Sequence, residues 1–191
     1  LKLPTLLPNV KRVIYLDCDI IVNSSLYDLF SADLGGFALG GVLDLNKKMV
    51  KLNPTYVNAG MLVMDIQAMK EQNLEEEFLK YTLLHQEKIK VGDQEIINEV
   101  LKGKIKLLDE AWNVQSSNFT NRSSYTKNPK IIHFVAKKKP WHWASFSYHR
   151  DLYFKYLQYT PWKLDEKEYI HWTKDNQKAS LIEYFKYRPL F

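Results

Sequence analysis

Two hydrophobic periods alternate along the chain. Short unbroken apolar runs, several of them closing on a carboxylate, alternate with stretches in which apolar residues recur every three or four positions. The first pattern is that of a strand buried on both faces, the second that of an amphipathic helix. "VIYLD", Val13 to Asp17, reads as a buried parallel strand that ends at Asp17. "SSLYDLF", Ser24 to Phe30, predicts a short helical turn capped by Ser24 or Ser25. "GGFALGGVLD" predicts a strand ending at Asp44, and "TYVNAGMLVMDI" a third apolar run interrupted by Asn58, Ala59 and Gly60. Asn73 opens a helix with three glutamates in its first turn and Leu74, Phe78, Tyr81 and Leu84 on one face. "GDQEIINEVLKG" predicts a second helix, capped by Asp93 and stopped by Gly103. "KIKLLD" and "KIIHFV" are strands, and helices are expected over Ser147 to Gln158 and near Lys178 to Tyr187.

Strands alternating with helices make the core α/β with a mixed, mostly parallel sheet flanked by helices. Ligands bind at the carboxyl ends of strands in such sheets. Asp17, Asp19 and Asp44 fall at predicted strand ends, and His133 lies within or at the end of its strand.

The 191 residues suffice for one core, read here as residues 1–145, with a helical, aromatic and basic extension over residues 146–191. Hydrophobic content of 46% and charged content of 26% are those of a globular protein, and no segment reaches the apolar length of a membrane span. A single cysteine, Cys18, leaves no internal disulfide and fits a reducing compartment, so a cytoplasmic setting is expected. The three sequons at Asn23, Asn118 and Asn121 then read as chance matches. The net charge of +5 suits an anionic partner without choosing among phosphate groups, nucleic acid and an anionic membrane.

The chemistry begins at "KRVIYLDCDIIV". An extended backbone would point Asp17 and Asp19 to the same face and Cys18 to the other. Paired carboxylates repel unless a cation lies between them, and a hard divalent ion such as Mg²⁺ or Mn²⁺ suits oxygen ligands. In "IIHFVAKKKPWHW", His133 offers a nitrogen ligand and Lys137, Lys138 and Lys139 a basic cluster. Two carboxylates and an imidazole suit Mn²⁺, and the open positions together with a lysine would stabilise a diphosphate leaving group.

"YLDCDIIV", "GGVLD", "YVNAGMLVMDI", "VGDQEIIN", "LLDEAWNVQ" and "IIHFVAKKKPW", in that order, resemble the motifs of glycosyltransferase family 8 over about residues 1 to 160. That family includes bacterial lipopolysaccharide galactosyl- and glucosyltransferases and, more distantly, glycogenin. The resemblance implies a GT-A fold, Mn²⁺ dependence and transfer of a hexose from a UDP-sugar to a glycan or lipid-linked acceptor with retention at the anomeric carbon. It implies Asp17, Asp19 and His133 as metal ligands, and Lys139 as the diphosphate contact. Asp44, Asn58 and Ala59 would serve as donor-sugar contacts, with Asp93 and Gln94 beside the reacting carbon. Asp93 serves equally as a plain helix cap. Gln94, a neutral amide, is suited to positioning rather than to nucleophilic attack.

Two departures stand out. Ala136 occupies a position where the family usually has glycine, and the DxD comes early, so the family's N-terminal nucleotide-binding segment is expected to lie outside this chain. Two other readings share the same residues. A strand followed by DxD also opens haloacid-dehalogenase-type phosphatases. The tail from Tyr153 onward, which interleaves lysines with aromatics, suits a non-enzymatic basic aromatic binding module. Within the family resemblance that tail implies peripheral membrane contact, with no nucleic acid expected.

Overall fold

The computed structural model describes residues 1–116, 128–135, 139–142, 145, 147 and 149–165. The expected helix near Lys178 to Tyr187, most of the aromatic tail, the sequons at Asn118 and Asn121, and Ala136, Lys137 and Lys138 lie outside the described residues.

Each apolar run becomes a strand. Strands β1 (Arg12–Leu16), β2 (Ile20–Val22), β3 (Leu39–Leu43), β4 (Val57–Asp65), β5 (Ile105–Leu107), β6 (Val114–Gln115) and β7 (Ile131–His133) form two sheets. Their orders are β1-β4-β3-β5 and β2-β7-β6. Around them lie helices α1 (Leu3–Leu6), α2 (Tyr27–Phe30), α3 (Lys47–Leu52), α4 (Ile66–Glu71), α5 (Leu74–His85), α6 (Asp93–Val100) and α7 (Arg150–Leu157).

The mixed α/β class holds, but the expected mostly parallel pairing, like the parallel direction of the first strand, does not. β1 runs antiparallel to β4, as does β3, and β2 runs antiparallel to β7; β3–β5 and β6–β7 are parallel. An unbroken apolar run reports burial, and burial carries no information on strand direction.

Both faces of β4 are packed. Leu62 and Met64 join Ile66, Met69, Leu74, Phe78, Ile96 and Ile97 in one core, while Met61 and Val63 join Leu29, Leu34, Val42 and Trp112 in the other. Asn58, Ala59 and Gly60 do not interrupt the strand. They lie within β4, where the pairing to β3 jumps from Gly41↔Leu62 to Leu43↔Val57. The inward parity of β4 switches at the same place, so that Val57 and Ala59 share a core with Leu62 and Met64. Such a bulge re-aims side chains at the cost of regular pairing.

The caps differ from expectation. Gly92 is the N-cap of α6, at φ 64°, and Asp93 is its first residue without a capping bond from its side chain. A left-handed φ favours glycine there, and a carboxylate one step into the helix still complements the dipole. Asn73 holds the N-cap of α5 at φ 51°, yet its side chain turns to Glu76 instead of to the backbone. Leu26, not a serine, is the N-cap of α2, although Ser25 Oγ accepts from the Tyr27 N–H at 3.2 Å. Leu74 and Phe78 of α5 are buried, whereas Leu84 is 69% exposed, because only the first turns of the helix reach the core.

Candidate active site

Asp17 and Asp19 lie where one sheet hands the chain to the other. Asp17 follows β1, a turn spans Cys18 and Asp19, and β2 begins at Ile20. The extended dipeptide expected here is therefore a turn, and Asp19 stands at the start of a strand, not at an end. The turn is pinned at both ends: Asp17 N–H donates to Gly60 O at 2.8 Å, and Phe134 N–H donates to Asp19 O at 3.0 Å. It achieves what alternation would have done. One ligand atom each from Asp17, Asp19 and His133 lie within 4.8 Å of one another.

The close approach depends on Gly60. A Cβ there would stand 2.1 Å from His133 Cε1 and 2.7 Å from Asp17 Oδ2. His133 Nε2 lies 3.2 Å from Asp19 Oδ1 and 3.6 Å from Asp17 Oδ2. That Asp19 oxygen is buried without a hydrogen-bond partner among the described residues. A lone pair left so is costly unless something positive meets it. Two carboxylate oxygens and an imidazole nitrogen converging beside an orphaned buried oxygen fit a divalent cation of the Mn²⁺ or Mg²⁺ type.

Lys139 closes the other side. Its Nζ donates to Asp19 Oδ2 at 2.5 Å and to Phe134 O at 2.7 Å. Burial pushes the Asp19 carboxyl up, but the positive charge and hydrogen bonding around it, the Lys139 ammonium foremost, outweigh burial and hold it well below the usual carboxylate range. Tyr15 donates its hydroxyl to Asp17 Oδ1 at 2.8 Å. Chiefly through that bond, with burial and the Asp17 charge adding, the phenol is pushed up to about 12. The neutral, donating form is thus whole below the phenol's ordinary range and is lost only as pH rises through about 12, so Tyr15 donates to Asp17 throughout the neutral range.

The second half of the site gathers on the β4 bulge. Asp44, just past β3, accepts at Oδ2 from Asn58 Nδ2 at 3.3 Å and from Gln94 Nε2 at 3.1 Å. Gln94 Oε1 accepts from the Ala59 N–H at 3.0 Å and from Asn58 Nδ2 at 3.3 Å. Ala59 thus contributes a backbone donor to Gln94. Asp93 is exposed at the start of α6, and its charge adds to the raised pKa of Tyr15. Asp17, Asp19, His133 and Lys139 form one cluster and Asp44, Asn58, Ala59 and Gln94 another, while Asp93 sits at the rim.

Two buried residues escaped the sequence reading. Asn98 Oδ1 accepts from the Val57 N–H at 2.7 Å and its Nδ2 donates to Val57 O at 2.9 Å, docking α6 on the start of β4. Asn113, wholly buried, bonds both His133 and Asn58. The visible signal for Asn98 was a polar residue directly after Ile96 and Ile97 on the buried stripe of a helix; for Asn113 there was only its place in a family motif.

The sequence profile of Glycosyl transferase family 8 matches residues 1–144. General stress protein A of Bacillus subtilis is 28% identical over 174 residues, covering 81% of this chain and 61% of that protein. Glycosyltransferase GlyF of Streptococcus pneumoniae is 28% identical over 179 residues, covering 90% of this chain and 44% of its own length. The chain thus spans about half the length of such relatives. Among solved structures, the galactosyltransferase LgtC bound to donor and acceptor sugar analogs superposes with a TM-score of 0.72 at 21% identity, over 87% of this chain and 67% of that one. GlyE of Streptococcus pneumoniae does so with a TM-score of 0.70 at 22% identity, over 97% and 45%. These two share the fold, and the match over residues 1–144 goes further: the chain belongs to glycosyl transferase family 8.

Proposed function

We propose that the chain carries the metal and sugar halves of a retaining, Mn²⁺-dependent hexosyltransferase. Its donor would be UDP-galactose or UDP-glucose, and its acceptor a glycan or lipid-linked glycan. One observation carries this reading: the cluster of Asp17, Asp19, His133 and Lys139 adjoins the cluster of Asp44, Asn58 and Gln94. A charge-neutralising set next to a hydroxyl-binding set is what a sugar diphosphate presents in mirror image.

Asp17, Asp19 and His133 would hold the metal, which when bound neutralises the diphosphate and stabilises its departure. The Lys139 ammonium, now held by Asp19 and the Phe134 carbonyl, would supply further positive charge to the leaving oxygens. The carboxylate of Asp44 and the amide of Asn58 both suit sugar hydroxyls, which donate as well as accept. Gln94, anchored by the Ala59 N–H, would face the reacting carbon and orient the sugar. Its amide oxygen is too weak a nucleophile for a covalent intermediate, and Asp44 is already engaged by Asn58 and Gln94. Departure and attack on one face fit this arrangement best. The bond from the anomeric carbon to the diphosphate oxygen breaks, the bond to the acceptor oxygen forms, and the acceptor proton passes to the diphosphate.

No helix among the described residues is long and apolar enough to cross a membrane. Peripheral contact of the basic, aromatic C-terminal segment with an anionic membrane in the cytoplasm completes the proposal.

The test is calorimetric titration of UDP-galactose and UDP-glucose with and without Mn²⁺. Binding of one of them that needs Mn²⁺ and is lost in Asp19→Ala is expected. Binding of Mn²⁺ with no metal-dependent binding of either nucleotide sugar, in a protein that also carries the family's nucleotide-binding segment, would overturn the donor assignment. In a preparation that transfers sugar, Gln94→Ala should lower kcat by about 100-fold, the usual size for one lost electrostatic contact. A near wild-type rate would remove Gln94 from the mechanism.

A further inference from the structure

We propose that Asn113 is the positioning residue that fixes the tautomer of His133 and ties the metal half of the site to the sugar half. In naming what the two halves bind, the inference rests on the function proposed above. The hydrogen-bond geometry itself does not.

The deduction starts from two backbone N–H groups of the β4 bulge, which can only donate. Gly60 N–H donates to Asn58 Oδ1 at 3.1 Å, which fixes the orientation of the Asn58 amide. Its Nδ2 must then face Asp44 Oδ2 and Gln94 Oε1, and both are acceptors. Gln94 Oε1 is identified independently by the Ala59 N–H that it accepts. The same Asn58 Oδ1 has a second neighbour at 3.0 Å, and only a donor can stand there, so the Asn113 atom is Nδ2. The opposite orientation would set two buried amide oxygens against each other, with only the Asn58 one still satisfied by the Gly60 N–H.

With Nδ2 committed to Asn58, Asn113 turns its Oδ1 to His133 Nδ1 at 3.2 Å. An oxygen acceptor there calls for the proton on Nδ1. A neutral imidazole carries one ring proton, so Nε2 is left with its lone pair. Nε2 is the atom that faces Asp19 Oδ1 and Asp17 Oδ2. Asp19 Oδ1, beside that lone pair, has no hydrogen-bond partner among the described residues. His133 and Asn113 are 3% and 0% exposed, so water does not compete for these bonds. The orientation of the metal-facing imidazole is therefore set by a relay that begins at a strand backbone and passes through Asn58, the residue proposed to meet the sugar.

Two substitutions separate the two bonds. Asn113→Asp keeps an acceptor for His133 Nδ1 and removes the donor to Asn58. Asn113→Leu removes both. The readouts are long-range ¹H–¹⁵N correlation of the metal-free protein at a pH where the imidazole is neutral, with His133 assigned by its loss in His133→Asn, and Mn²⁺ affinity by electron paramagnetic resonance. Wild type and Asn113→Asp should show the Nδ1–H tautomer. Asn113→Leu should lose it and bind Mn²⁺ about 10–100-fold more weakly, the usual cost of losing a partner behind a metal-bound histidine. Asn113→Asp should hold Mn²⁺ affinity within a few-fold while UDP-hexose affinity at saturating Mn²⁺ falls. An Nε2–H tautomer in the wild type would overturn the proposal without any variant. So would a folded Asn113→Leu protein with unchanged tautomer and Mn²⁺ affinity, or equal loss of both affinities in Asn113→Asp. Should a protein that also carries the nucleotide-binding segment bind no UDP-hexose, the donor reading fails, while the tautomer and the Mn²⁺ affinities still decide the role of Asn113.

Discussion

At the scale of the residue, the site depends on one missing methyl group. Gly60 is not required for its backbone angles, which carry no positive φ; it is required for space. The His133 ring occupies the volume that any Cβ at position 60 would take, and Asp17 Oδ2 lies at the edge of it. Neither neighbour can yield cheaply. His133 is held from behind by Asn113, and the Asp17 backbone N–H is bonded to the carbonyl of Gly60 itself. Gly60→Ala should therefore push the imidazole off its line to the two aspartates. The expected stability cost is about 1–3 kcal/mol, as for other overpacked sites. The expected functional cost is larger: Mn²⁺ binding should weaken by about 10-fold or more, because a ligand moved within a rigid shell no longer meets the ion. Mn²⁺ titration beside a thermal melt checks both numbers. Unchanged Mn²⁺ affinity in a folded Gly60→Ala protein would mean that His133 is not a ligand.

At the scale of the element, the β4 bulge and α6 work as a pair. The bulge frees Asn58, Ala59 and Gly60 from regular pairing, and α6 docks on the strand through Asn98, which bonds both backbone polar groups of Val57 and, one turn back, the Gln94 carbonyl. Asn98→Leu keeps the volume roughly constant and strands the Val57 N–H and C=O in the core. At about 1–3 kcal/mol for each of the two stranded groups, unfolding free energy should drop by about 2–6 kcal/mol. Gln94 should shift with its helix and donor affinity should fall with it. Denaturant melts and the donor titration check this; a loss below 1 kcal/mol would show that water or a rearranged partner reaches Val57. The same elements mark how far the sequence could be read. Apolar runs at Val13, Leu39 and Ile131 located strands correctly, because burial leaves a local mark. Strand direction at β1, the turn at Cys18 and the bulge at Gly60 leave none, since each is set by partners distant in the chain. The candidate residues Asp17, Asp19 and His133 were legible as types beside apolar runs, although Asp19 opens a strand instead of closing one. Asn98 and Asn113 were not, because a buried asparagine looks like a solvated one until its partners are known.

At the scale of the molecule, the candidate metal cluster of Asp17, Asp19 and His133 is a joint between the two sheets. Asp17 leaves β1 in the four-stranded sheet, whereas Asp19 enters β2 and His133 ends β7 in the three-stranded one. Unfolding separates these ligands, so an ion that needs all three binds the folded chain and not the unfolded one. Such an ion stabilises by mass action, about 2.7 kcal/mol at a hundred times its dissociation constant. For a chain of this size that is worth about 5–10 °C in Tm. Without the ion, Asp19 is met by the Lys139 ammonium and Asp17 by the Tyr15 hydroxyl. Added Mn²⁺ should therefore raise Tm in proportion to the logarithm of its concentration above the dissociation constant. Asp19→Ala should abolish the dependence, because it removes a ligand and leaves Lys139 unpaired against the site. Differential scanning calorimetry across a Mn²⁺ series, with Ca²⁺ as a larger hard ion for comparison, measures this directly. A Tm indifferent to Mn²⁺ in the wild-type chain would mean that the three side chains converge without forming a metal site, and the diphosphate charge would then have to be met by Lys139 and its neighbours alone.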